Sequence, residues 1–112
     1  MNNIVITGNI SRVELKESKG KKYARFFIRH HMRKPDGSYA TGFLDMVAFD
    51  KVAERLSNFK KGSPLEFIAH FSFSSYVKNG KVLHTVDCIV DNFNLVGTGA
   101  YVSYVKNDKK AV

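Results

Sequence analysis

The stretch from Phe43 to Lys81, FLDMVAFDKVAERLSNFKKGSPLEFIAHFSFSSYVKNGK, reads as an alternating strand, a short helix, a second alternating strand and an Asn-Gly hairpin. In the first segment, about Thr41 to Phe49, Leu44, Met46 and Ala48 share one side, and Phe43, Asp45, Val47 and Phe49 share the other, because successive strand residues point to opposite faces. Either set could be buried. An unpaired carboxylate is rarely enclosed, so Asp45 marks its own face as wet and leaves Phe43 and Phe49 as exposed aromatics. Asp50 stands where a helix N-cap is expected, and Val52, Leu56 and Phe59 recur at helical spacing as one packing stripe that Gly62 brings to a stop. Pro64 opens the next strand. Along it Leu65, Phe67, Ala69, Phe71 and Phe73 read as core, opposite Glu66, Ile68, His70, Ser72, Ser74 and Tyr76. The following turn, Val77 to Lys81, carries Asn79-Gly80, the pair that favours a tight type I′ hairpin.

Toward the N-terminus, Ile4, Ile6 and Ile10 alternate with Val5, Thr7 and Asn9 in a first strand that Gly8 interrupts where a bend or bulge would fit. Val13 and Leu15 extend it, and the polar run Glu17 to Lys22 reads as a turn. From Tyr23 to Arg33 the two parities differ in chemistry. Ala24, Phe26, Ile28, His30 and Met32 face the core, while Tyr23, Arg25, Phe27, Arg29, His31 and Arg33 form an aromatic and cationic ladder facing solvent. Three arginines interleaved with two aromatics suit phosphates and bases better than they suit an ordinary wet surface. Lys34-Pro35-Asp36-Gly37-Ser38-Tyr39 is a turn by its Pro and Gly, and the last strand runs from about Val82 to Val96. Gly97 to Val112 ends in a lysine-rich segment, where order is expected to fade.

Length and composition bound the answer from outside. A chain of 112 residues with 44% hydrophobic content is one domain with one core, and its apolar runs fall well short of the roughly 20 residues of a membrane-spanning helix. A net charge of +8 and a pI near 9.7 favour a polyanionic partner, through release of counterions condensed on phosphates. The start Met1-Asn2-Asn3-Ile4 lacks the features of a secretory signal and Cys88 is alone, so a reducing cytoplasm is expected.

Five strands with one short helix between the third and fourth, in a basic chain of this size, predict an all-β OB-fold: a five-stranded Greek-key β-barrel whose second and third strands and loops take oligonucleotides. The motifs Met1 to Ile10, Ala24-Arg25-Phe26, Phe43 to Glu54 and Lys60-Lys61-Gly62-Ser63, in this order, resemble the bacterial single-stranded DNA-binding protein (SSB) family over about residues 1 to 96. The resemblance implies an OB domain over 1–96 with a short basic extension over 97–112. It also implies sequence-tolerant binding of single-stranded DNA in replication, recombination or repair, in the cytoplasm at the nucleoid. It implies neither catalysis nor cofactor, and a homotetramer, with a dimer as the lesser form. The family's stacking positions fall on Phe43, Phe49 and Tyr76, the same three side chains that parity turns outward. On that picture phosphates track Arg25, Arg29, Arg33 and Lys34 and the hairpin lysines Lys78 and Lys81, with Tyr23, Phe27 and His31 as additional candidates. The chain departs from the family in having no Trp, in placing Ser72 and Ser74 where cations are common, and in ending on Lys109-Lys110-Ala111-Val112 instead of an acidic tail. Recruitment of repair or replication enzymes through such a tail is therefore not expected, which would suit a phage-borne or mobile-element accessory form.

Competing readings are weaker. His30 and His31 are adjacent on a strand and point oppositely, so they cannot form one acid–base site, and His70 and His84 read as surface or cross-strand partners. One Cys without paired ligand spacing makes a poor zinc site, and the acids are too scattered for two-metal chemistry. The nearer rivals are a dimeric accessory factor similar to primosomal replication protein B, and an OB module that contacts RNA or protein.

Overall fold

The computed structural model describes residues 2–96. Residues 97–112, expected to form the basic extension, lie outside the described residues. Six strands and one helix follow in the order β1 (Ile4–Ile10), β2 (Lys16–Ser18), β3 (Lys21–Arg33), β4 (Tyr39–Phe49), α1 (Asp50–Leu56), β5 (Pro64–Lys78) and β6 (Lys81–Leu95). The sheet order is β1-β5-β6-β4-β3-β2, and an extra β1–β3 pairing at Asn9↔Arg29 and Ile10↔Ile28 closes five of the strands into a barrel. All pairings are antiparallel except β4 with β6, which meet at Val47↔Ile89. This is the OB-fold that the sequence predicts. The sixth strand, β2, occupies part of the expected Glu17–Lys22 turn; Lys19 and Gly20, at φ of 52° and 80°, make the real turn.

The core follows the expected parities through the barrel body. Ala24 and Ile28 of β3, Ala48 of β4, Leu56 of α1 and Leu65 and Phe67 of β5 are fully enclosed, and the Phe26 and Phe67 rings lie 6.0 Å apart. Gly8 does not bulge its strand. A Cβ there would stand 2.8 Å from the Arg29 carbonyl oxygen and 2.9 Å from the Ile28 Cδ1, so only glycine lets β1 approach β3 and close the barrel. At Gly62, φ is +94° and the N–H donates to the Ile10 carbonyl at 2.7 Å, which joins the turn between α1 and β5 to the end of β1. Val52 packs against the core beside Leu56 as their spacing implies, and Ala53, at 0% exposed, joins them; Phe59 packs there too, but from beyond the helix, which ends at Leu56 with Ser57 as its cap and not at Gly62.

Other expectations fail as well: Met32, read as core, is exposed near the end of β3, and β1 ends at Ile10 without Val13 and Leu15. Asp50 is the first helical residue and not a side-chain cap; Phe49 holds the cap position in extended geometry with no side-chain capping bond. Val47 shares its parity with exposed Phe43 and Phe49 yet is only 2% exposed, because the parallel contact with β6 covers that one point of the face. Phe73, read as core, is 71% exposed. β5 loses its β1 partner after Ala69, where the Asn2 side chain takes the Phe71 N–H at 2.9 Å, and beyond that point only β6 runs beside it. The rest of β5 and β6 is a two-stranded arm, and among the described residues no element packs beneath the inner face at Phe73. It reverses at Asn79 and Gly80, whose φ of 53° and 75° fit the expected type I′ turn.

Candidate nucleic-acid interface

Strands β3 and β4 pair from Tyr23↔Phe49 to Arg33↔Tyr39, and their register decides which side chains stand side by side. Across the outer face the pairs are Tyr23↔Phe49, Arg25↔Val47, Phe27↔Asp45, Arg29↔Phe43, His31↔Thr41 and Arg33↔Tyr39. Directly opposed residues share a face, so this is one surface of alternating rings and guanidinium groups. Phe43 is 67% and Phe49 43% exposed, unusual for rings unless something covers them in function. Phe27 meets Phe43 edge-on with centroids 5.7 Å apart, which fixes two rings side by side on the middle of the face.

The cations differ in their engagements. Arg25 is held 3.6 Å from Asp87 of β6, an exposed ion pair that a phosphate can displace at small cost. The Arg33 guanidinium lies over the Tyr39 ring at 5.6 Å. Arg29 is exposed opposite Phe43, and Lys34 sits at the mouth of the β3–β4 turn, where its backbone is bonded to Ser38 at 2.7 Å and to Gly37 at 2.9 Å. In that turn the Ser38 hydroxyl and N–H both donate to Asp36, holding its carboxyl below the usual carboxylate range. His31 lies on the same face, with Nδ1 3.1 Å from the Thr41 hydroxyl, while His30 turns the other way toward the Thr7 carbonyl at 2.7 Å.

Comparison with known proteins decides the class. A model of the single-strand binding protein family matches residues 1–96. The chain belongs to that family. It binds single-stranded DNA, and as a member of a binding family it is not an enzyme. Among solved structures it is similar to a small single-stranded DNA-binding protein from Streptomyces coelicolor. The identity is 17% and the TM-score 0.63 over 86% of this chain and 96% of that one, a likeness that speaks to the fold alone. A sequence search of curated proteins returned no significant match.

Against the family's expected stacking positions, Phe43 and Phe49 stand on the β3–β4 face and Tyr76 does not. Tyr76, 49% exposed, lies on the β5–β6 arm opposite Leu83, and no ring contact joins it to the other two among the described residues. Lys78 and Lys81 pair at the tip of that arm. Tyr23 borders Phe49 and is half-buried; Arg25, Phe27, Arg29, His31 and Arg33 are all exposed along β3. Sequence reasoning missed Tyr39. It was assigned to a turn, but β4 begins there, and its parity with Thr41, Phe43 and Asp45 puts its exposed ring in line with the others. Counting the alternation back two residues from Thr41 would have found it.

The remaining histidines stay apart. His70 Nδ1 is 2.8 Å from Asp91, and His84 lies on the arm opposite Ser75. Among the described residues no group of three or more His, Cys, Asp or Glu is placed to hold a metal, and no helix is long and apolar enough to cross a membrane. Burial, with the Asp91 charge adding to it, pushes the Cys88 thiol up, so it is a packing group and a poor nucleophile.

Proposed function

We propose that single-stranded DNA runs along the outer face of β3 and β4, with bases stacked on Phe43 and Phe49 and the strand continuing to Tyr76 on the arm. Phosphates pair with Arg25, Arg29, Arg33 and Lys34, and at the hairpin tip with Lys78 and Lys81. Tyr23, Phe27 and His31 add contacts, and Tyr39 extends the row. The observation that carries this reading is the exposed Phe27–Phe43 ring pair, bracketed by arginines at alternate β3 positions. Rings give grip without sequence readout because every base has a π-face, and the cations give reach and salt dependence.

The protein works on this reading as a cytoplasmic, nucleoid-associated factor of DNA replication, recombination or repair. Residues 1–96 form the binding domain, and four copies make the working unit. An open edge supports self-association: among the described residues β1 pairs with β3 only at Asn9 and Ile10, so the part of β1 before Thr7, whose carbonyl meets His30, has no strand beside it on that side, and Val5 is exposed.

One experiment tests ligand and assembly together. Titration with a homopolymer single strand and a matched duplex at two salt concentrations, with particle mass by light scattering, should show preference for the single strand, a steep salt slope and four copies. Equal binding to the duplex, or displacement by RNA of equal length in preference to DNA, would overturn the ligand. A mass of two copies would support the dimeric accessory-factor reading instead.

A further inference from the structure

The middle of the β3–β4 face interrupts its own positive charge. Asp45 stands directly opposite Phe27, and Asp87 of β6 stands across from Arg25. With Val47 and Val86 these residues line an open cleft of about 370 Å³, within the size range of small-molecule sites. Asp87 is paired with Arg25, whereas Asp45 has no ion-pair partner among the described residues and is exposed. An unpaired carboxylate on a phosphate path repels the backbone that the arginines attract. Its position beside a stacking ring points to a different part of the nucleotide. A carboxylate only accepts hydrogen bonds, and cytosine offers an amino donor where uracil and thymine offer a carbonyl oxygen.

We propose that Asp45, on the wall of this cleft, accepts a hydrogen bond from the exocyclic amino group of a base stacked at Phe27, so that the protein favours cytosine over uracil and thymine there. The inference rests on the strand crossing this face. The plainer alternative is that Asp45 merely repels phosphates, and the two differ in what removing the charge does. Lifting a repulsion strengthens binding to every strand by the same factor. Removing an acceptor changes the ratio between bases.

The test uses the full chain and its Asp45→Ala and Asp45→Asn variants, titrated with labelled oligo(dC) and oligo(dU) of equal length at slightly alkaline pH, where cytosine is neutral. Uracil lacks the thymine methyl, so the two strands differ only on the pairing edge. The unsubstituted protein should prefer oligo(dC) by about threefold to tenfold, the scale of one net hydrogen bond. In Asp45→Ala the ratio should fall to near one. Asp45→Asn keeps the side-chain volume but offers both a donor and an acceptor, and should lose the preference as well. A ratio already near one in the unsubstituted protein, or one that survives both substitutions while affinity rises for both strands, overturns the inference and leaves the DNA path standing. Failure to bind either strand would overturn the path and this inference together.

Discussion

The two halves of the β5–β6 ladder are written in the same alternating pattern and end in opposite environments. In the barrel half, Leu65 and Phe67 of β5 and Val90 and Phe93 of β6 are buried. In the arm, Phe73, Val77, Val82 and Val86 continue the same inward parity and are exposed. Nothing in the local sequence distinguishes Phe67 from Phe73. The difference is that β1, β4 and α1 lie against the first half, and among the described residues no element packs beneath the second. Alternation thus tells which residues share a side, and only neighbouring elements tell whether that side is inside.

The largest effect that can break this comparison is on stability. Phe67→Ala should lower the unfolding free energy by about 3–5 kcal/mol, the cost of a buried ring left as a cavity, whereas Phe73→Ala should cost less than about 0.5 kcal/mol, as for an ordinary surface substitution. Urea melts of the two variants make the check. An equal loss would show that something covers the arm in solution.

Next come the proposed stacking rings, one from each region. Phe49→Ala on the barrel and Tyr76→Ala on the arm should each weaken single-strand binding by about 1–3 kcal/mol, with melting and salt slope unchanged. If binding is indifferent to Tyr76, the DNA path ends on the barrel.

Charge should sharpen the picture further. Removing one phosphate contact lowers the slope of log affinity against log salt by about 0.7, so titrations of Arg29→Ala over a salt series should show that drop. Arg25→Ala should show less, because its guanidinium is already shared with Asp87. The same series on Lys78→Ala reports whether phosphates reach the arm tip. An Arg29 variant with the parent slope would take that residue off the path.

The smallest effect belongs to the barrel's own surface. Lys22 and Glu54 meet at 3.1 Å, both partly exposed, and link β3 to α1. A double-mutant cycle in thermal melts should give a coupling of about 0.2–1 kcal/mol. A larger value would mean that the pair is shielded from solvent.

Much of the candidate face was legible because its signal is local. The ladder Tyr23, Arg25, Phe27, Arg29, His31, Arg33 follows from period two alone, and Asp45 correctly marked the wet side of β4 for Phe43 and Phe49. Val47 broke the pattern, since no count along β4 reveals that β6 crosses there in parallel. Tyr39 was hidden because Pro35 and Gly37 signal a turn without saying where the strand resumes. Tyr76 was rightly exposed, but parity within β5 carries no information about the direction in which a free ribbon points.

By itself the sequence determined side-chain parity, the reversal at Asn79-Gly80, the helix stripe of Val52 and Leu56, and the excess of positive charge. These depend on residues a few places apart. Only the tertiary structure decided that Gly8 is where two strands come too close for a side chain, that Val47 is covered and Phe73 is not, and that Phe27 and Phe43 stand as a pair beside Asp45. Each of those outcomes depends on strands brought together from distant parts of the chain, and accessibility exists only once they have met.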